Sequence, residues 1–210
     1  MKEMEKTKSK TREYIESLII AAIIAFFVRS FFIQAFKIPS SSMEPTLLIG
    51  DHLLVNRLNY VVKIPFTDVV LFTLGNPERG EIIVFRYPLD RSKDFIKRVI
   101  AKEGDTIEIK DKKIYLNGKK MDDSWGHFSD NHIIPGFLSP KDNLEPIKVP
   151  KDSYFVMGDN RDRSLDSRFW GFVRKDDLVG KALIIYFSWN GKSDEILHYV
   201  RWSRIVRLIR

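Results

Sequence analysis

The sequence predicts a mostly β domain preceded by one apolar N-terminal helix. Three observations predict it. Residues 18–28 form an apolar run with no polar face. From Gly50 onward, short runs rich in Val, Ile, Phe and Tyr are bounded by Gly, Pro, Asn and Asp. No helical pattern longer than a few turns follows the N-terminal segment.

Bulk properties fit that outline. A chain of 210 residues is long enough for one good core and a small subdomain. Its 44% hydrophobic and 30% charged content is that of a globular protein. The net charge of +7 points to nucleic acid or to an anionic membrane surface. The absence of cysteine excludes a disulfide framework, a Cys-based zinc site and a Cys nucleophile. Four histidines limit any His-based metal site.

In chain order, residues 1–13 are a polar, basic tail with Lys2, Lys6, Lys8, Lys10 and Arg12. Residues 14–36 are expected to form a transmembrane anchor. The run 18–28 alone spans only roughly 17 Å as a helix. Counting from Ile15 to Phe36 gives enough length for a hydrocarbon core of about 30 Å, with Arg29 snorkelling to the nearer interface. A cleaved leader would need a small-x-small site, whereas Arg, Phe and Gln follow Val28. A buried soluble helix would show a polar face. The basic tail predicts a cytoplasmic N-terminus, with residues 37–210 beyond the outer membrane surface.

Next comes Ile38-Pro39-Ser40-Ser41-Ser42-Met43-Glu44-Pro45-Thr46. The prolines bias Ile38 and Glu44 to extended backbone, so the serines lie on a constrained loop or strand edge. Local composition alone favours a serine-rich hinge between membrane and domain. Strands are expected over 53–58, 81–87 and 94–102. A hairpin is expected over 106–110 and 113–116, and Asn117-Gly118 supplies a second turn. Residues 122–150, rich in Pro, Gly, Asp and Ser, read as an irregular insertion. Two more strands are expected over 153–157 and 181–189. Over 201–210, arginine recurs every third residue. This is either a basic stripe on an anionic lipid surface or a terminal element packed on the domain with its arginines in solvent.

A serine nucleophile needs a base. His52, His127, His132 and His198 lie in no tight context with an orienting acid, and no G-x-S-x-G turn is present. Lys97 stands out among the lysines. Period-two geometry places it on one face with Phe95, Val99 and Ala101, and Arg98 on the other face with Ile96 and Ile100. Such a lysine is either an edge residue that snorkels or a buried amine of lowered pKa able to act as a neutral base. The segment 157–171 mixes Asp159, Asp162 and Asp166 with Arg161, Arg163 and Arg168. Arginines among the acids would repel a cation, so a salt-bridged structural loop is expected rather than a metal site.

Three segments together resemble the bacterial type I signal (leader) peptidases. The first is Phe36-Lys37-Ile38-Pro39-Ser40-Ser41-Ser42-Met43-Glu44-Pro45-Thr46-Leu47, continuing through Gly50-Asp51-His52-Leu53. The second is Arg79-Gly80-Glu81-Ile82-Ile83-Val84-Phe85, leading to Phe95-Ile96-Lys97-Arg98-Val99. The third runs from Gly158-Asp159-Asn160-Arg161-Asp162 through Ser164, Asp166, Ser167 and Arg168 to Trp170-Gly171. The resemblance covers residues 14 to about 187.

It implies an antiparallel β-sheet catalytic domain and a serine endopeptidase that works through a Ser/Lys dyad. Ser42 matches the nucleophile and Lys97 the general base. Ser40 matches the hydroxyl that joins the Ser42 N–H in the oxyanion hole. Ser164 matches a serine that orients the lysine amine, and Asp166 with Arg168 a supporting salt bridge. The implied substrates are secretory preproteins cut after small residues in an Ala-x-Ala pattern. Membrane lipid and the translocation machinery are the implied surroundings, with no cofactor, metal or nucleic acid. The sequence departs from the family at Ser41, where glycine is common, and at Arg163, where a small polar residue is usual. Two rival readings are a soluble self-cleaving repressor-type Ser/Lys protease and a non-enzymatic membrane-anchored β module that binds exported peptides. The first lacks its DNA-binding domain here. The second has no need of Lys97 or Ser164.

Overall fold

The computed structural model describes residues 10–64, 67, 69–191 and 199–209. The tail before residue 10, His198 and Arg210 therefore lie outside the described residues. Among the described residues, an N-terminal helix, α1 (Lys10–Phe31), is followed by fourteen strands. In chain order these are β1 (Ile33–Lys37), β2 (Asp51–Asn56), β3 (Val61–Lys63), β4 (Val70–Thr73) and β5 (Ile82–Tyr87). Then come β6 (Asp90–Lys102), β7 (Thr106–Lys110), β8 (Lys113–Leu116), β9 (Lys119–Lys120) and β10 (Leu144–Lys148). The last four are β11 (Ser153–Met157), β12 (Val173–Arg174), β13 (Leu178–Ser188) and β14 (Arg207–Leu208), with a one-turn helix α2 (Ser167–Trp170) before β12.

Helix α1 carries Glu13 in its first turn and Arg29 in its last, the arrangement the helix dipole favours. Its apolar side chains are bare: Leu18 is 72% exposed and Ile23 62%. The helix does not extend over the whole of the anchor expected at 14–36: it ends at Phe31, and residues 33–37 pair with β2 as β1. Arg12, Glu13, Glu16 and Arg29 all fall on α1. Among the described residues, no helix is long and apolar enough to cross a membrane.

The main sheet runs β1-β2-β13-β5-β6-β11-β12, with β14 also on β13, and every pairing is antiparallel. A smaller sheet, β10-β7-β8-β9, is inserted between the paired neighbours β6 and β11. Strand β6 belongs to both halves. Val99 packs with Phe85, Tyr154 and Val156 on one side. Ile100 and Ala101 pack with Ile107, Ile109 and Ile114 on the other. A third cluster, with Ile38, Met43, Leu47, Leu53 and Val55, lies around β2 and the serine loop.

The hairpin of β7 and β8 turns through Asp111 and Lys112, both at positive φ, and Asn117-Gly118 makes the next turn likewise. Four expectations need correction. The strand expected over 53–58 ends at Asn56, because the Asn56 side chain accepts from Leu58 N and starts a 3-10 turn, Arg57–Asn59. The insertion expected to be irregular to 150 ends as β10, paired with β7. The apolar hairpin of β3 and β4 was not anticipated. The C-terminal stripe is a 3-10 turn, Trp202–Arg204, followed by β14 on β13. It is packed on the domain as one reading held, but Arg204 is buried rather than in solvent.

Candidate active site

Apolar anchors hold the serine loop. Ile38, Met43 and Leu47 are buried on either side of it. Ile38 N donates to Asp51 O at 2.8 Å, and Gly50 N donates to Ile38 O at 3.0 Å, closing the loop at its base. Gly50 has φ +90, and a Cβ there would lie 2.1 Å from Trp189 O, so the closure requires glycine. Asn160 pins the loop from the far side. Its N donates to Ser42 O and its Nδ2 to Ser41 O, each at 3.1 Å. Ser41 is not among the residues with positive φ, so a side chain is accommodated where glycine is common.

Lys97 lies on β6 in the interior of the sheet, opposite Ile83 of β5. The edge-residue reading therefore fails: the side chain is 4% exposed. Its Nζ stands 2.8 Å from Ser42 Oγ and donates to Ile96 O at 3.0 Å. Burial pushes the ammonium down to about 8. The negative charges of Asp166 and Asp159 oppose that shift, and Arg168 reinforces it. Ser40 Oγ lies 3.4 Å from Ser42 Oγ, so the two hydroxyls share one side of the loop.

Asp166 and Arg168 form the expected pair. Arg168 Nε donates to Asp166 Oδ1 at 2.8 Å and Nη2 donates to Oδ2 at 2.9 Å. Gly158 N also donates to Asp166, at 3.1 Å. Burial alone would raise the Asp166 carboxyl, but the Arg168 charge and these donors hold it below the ordinary carboxylate range. Ser164 departs from its expected role. Its Oγ is buried and completes no hydrogen bond, to Lys97 or elsewhere, among the described residues. The second acceptor of Lys97 is a backbone carbonyl instead. Gly158 allows this crowding, since a Cβ there would lie 2.3 Å from both Ser164 Oγ and Ser42 O.

A second polar network, missed in the sequence, lies beneath the loop. Arg98 and Asp159 are wholly buried and paired bidentately, at 2.8 and 2.6 Å. Thr46 Oγ1 donates to Asp159 Oδ2 at 2.5 Å. The Trp125 ring covers the Arg98 guanidinium at 5.0 Å. Arg161 is paired with Asp123, and His127 N donates to Asp159 O at 2.7 Å. The segment 157–171 is thus a salt-bridged loop, with Lys112 and Lys141 on Asp162 completing it. On the other flank, Arg204 Nη2 donates to Asp51 Oδ2 at 2.5 Å and to Thr46 O at 2.8 Å. Ser188 Oγ donates to Asp51 Oδ1 at 2.6 Å.

The described histidines stand in other surroundings. His52, on β2, packs edge-on against Tyr186 and Phe187. The side chains of His127 and His132 are exposed. Arg163 is also exposed.

Comparison with known proteins places this arrangement in context. The profile of the family described as signal peptidase, peptidase S26, matches residues 11–189. A signal peptidase I of Pseudomonas aeruginosa is 36% identical over 207 residues, covering 84% of this chain and 72% of its own length. A signal peptidase I of Pseudomonas fluorescens is 33% identical over 223 residues, covering 92% and 78%. The signal peptidase I P of Bacillus subtilis subsp. natto is 33% identical over 186 residues, covering 88% and 93%.

Proposed function

Because the chain belongs to the signal peptidase family, peptidase S26, and is a serine protease that removes signal peptides, we propose that it cleaves through a Ser42/Lys97 dyad. The observation that carries this reading is the 2.8 Å separation of Lys97 Nζ from Ser42 Oγ inside the sheet. As an ammonium, Lys97 donates to that oxygen. Once neutral, the amine accepts the Ser42 hydroxyl proton as Oγ attacks the scissile carbonyl carbon. The oxyanion is met by Ser42 N–H and Ser40 Oγ, each such donor worth about 3 kcal/mol in the transition state. Lys97 returns the proton to the leaving amine of the mature chain as the C–N bond breaks. Water, deprotonated by Lys97, then hydrolyses the ester that holds the signal peptide on Ser42. Asp166 and Arg168 support the floor of the site, and Ser164 fills the space between Gly158 and Ser42.

The substrate reading is a secretory preprotein bound as an extended strand, with small residues at the first and third positions before the cut. Helix α1 is read as the membrane anchor. Support comes from apolar side chains exposed around it, which water does not favour, and from Arg29 one turn from its end, where it can snorkel. The basic tail then lies in the cytoplasm and the β domain on the outer side.

The test is cleavage of an Ala-x-Ala preprotein by detergent-solubilised protein. Wild type is expected to cut at that site, while Ser42→Ala and Lys97→Ala, both folded by circular dichroism, do not. Cutting by Ser42→Ala would assign the nucleophile elsewhere. Cutting by Lys97→Ala alone would make another group the base, with His52 tested next.

A further inference from the structure

A backbone N–H can serve an oxyanion only if its peptide plane faces the right way. In the serine loop that plane is the Ser41–Ser42 peptide. It is trans, so its C=O and its N–H point to opposite sides. Ser42 N donates to nothing among the described residues. At the other edge of the plane Ser41 O accepts twice, from Glu44 N and from Asn160 Nδ2, each at 3.1 Å. Holding the carbonyl of a rigid plane fixes where its N–H points.

The two donors are not equivalent. Glu44 belongs to the serine loop and moves with it. Asn160 comes from a separate segment, between β11 and the 3-10 turn Arg161–Arg163. That segment is braced on both sides of Asn160. Asp159 is held in the buried pair with Arg98, and Arg161 N donates to His127 O at 2.9 Å. Asn160 N donates to Ser42 O as well, so one residue grips two successive carbonyls of the loop. Asn160 is 4% exposed, and its Oδ1 is buried with no partner among the described residues. A buried acceptor left unpaired costs stability, and leucine would fill a similar space without that cost. An amide kept here with an idle oxygen points to a need for its Nδ2. The reverse amide orientation would set two carbonyl oxygens against each other.

We propose that Asn160 is a positioning residue for the oxyanion hole: through Ser41 O, its side-chain amide turns the Ser42 N–H toward the oxygen on which charge develops. Asn160 itself does not touch the substrate. A hydroxyl such as Ser40 Oγ can rotate to meet an oxyanion, whereas the Ser42 N–H moves only if the whole peptide turns. Freed from Asn160, the plane rocks about its flanking bonds and the donor loses its aim. The loss falls on the transition state, where the oxygen is charged, and not on the bound substrate, so kcat drops and KM holds. Asn160 carries no charge, so Lys97 titrates as before. This rests on Ser42 being the nucleophile.

The test compares full-length wild type with Asn160→Leu in detergent, using an Ala-x-Ala preprotein and two peptide inhibitors. One inhibitor ends in an aldehyde. Ser42 Oγ bonds to its carbonyl carbon, the π electrons move to oxygen, and the hydroxyl proton passes to Lys97, so an oxyanion forms. The other is the same peptide ending in the alcohol, which only binds. Asn160→Leu is expected to lower kcat about tenfold to a hundredfold with KM unchanged. The aldehyde is expected to bind more weakly by a similar factor, and the alcohol as tightly as to wild type. The pH at which kcat/KM levels is expected to stay where it is in wild type. Wild-type kcat in Asn160→Leu overturns the proposal, as does an equal loss of affinity for both inhibitors, which would mean that the loop is merely disordered. A displaced pH profile would place the effect on Lys97 and overturn it too. Asn160→Ser, whose hydroxyl falls short of Ser41 O, carries the same expectations if Asn160→Leu does not fold. Cutting by Ser42→Ala would remove the dyad and this proposal together, whereas an intact dyad with no effect at Asn160 removes this proposal alone.

Discussion

At the scale of the residue, the consequential fact is that a lysine occupies a place where an aliphatic side chain would normally sit. Its folded pKa of about 8 lies below the ordinary lysine value of 10.5. The neutral amine therefore becomes the major form only as pH rises through about 8. Plotted against pH, log kcat/KM is expected to climb with unit slope to about 8 and then level. A profile flat from pH 6 to 9 would remove Lys97 as the base. The same shift bears on stability. Below pH 8 the amine is protonated in both states, and holding the charge inside costs about 3 kcal/mol. That cost disappears between about 8 and 10.5, where only the unfolded chain still binds the proton. Lys97→Met is thus expected to unfold later than wild type in denaturant at pH 6, with the gap closing toward pH 10.5. Ser42 and Lys97 were legible in the sequence because each breaks a local pattern, a serine run between prolines and a cation on an apolar face. Arg98 and Asp159 were not. Their pairing joins positions 61 residues apart, and either one alone reads as an ordinary surface charge.

At the scale of the element, β6 explains that omission. Period-two reasoning assumes one wet face, but β6 is buried on both from Lys97 to Ala101. The small sheet covers the second face, and the segment before β10 carries Trp125 onto Arg98. The insertion therefore clamps the underside of the serine loop. Trp125→Ala is expected to lower kcat by about tenfold with KM unchanged, since it loosens Arg98, Asp159 and Thr46 without touching substrate. Trp125→Phe should recover most of the loss. An unchanged kcat in Trp125→Ala would reduce the insertion to a bystander. The hairpins of the small sheet were legible from Asp111 and Asn117-Gly118, residue types that take positive φ readily. Strand β1 was hidden within the apolar run of α1. Strands β3 and β4 were hidden because their apolar side chains do not alternate in burial, Val70 through Thr73 being exposed throughout.

At the scale of the molecule, distant stretches of the chain meet beneath the serine loop, Thr46 and Asp51 from one and Arg204 from the other. Asp51 is buried, and Arg204 is the cation that compensates it. Arg204→Met leaves that carboxylate unpaired and removes the donor to Thr46 O. It is expected to destabilise the domain by about 3–5 kcal/mol, read as an earlier midpoint in urea. Loss of less than about 1 kcal/mol would mean that Arg201, 3.8 Å from the same carboxylate, takes over.

This long-range contact also sets a clock. Thr46 leaves the ribosome 158 residues ahead of the arginine that braces its carbonyl. Strand β2 likewise waits for β13, its neighbour in the sheet. At ordinary elongation rates the interval is about 10–30 s. Throughout it Ser42 travels on a segment that still lacks this brace. The serine loop is therefore fully braced only after Arg204 has left the ribosome, long after the serine that it supports.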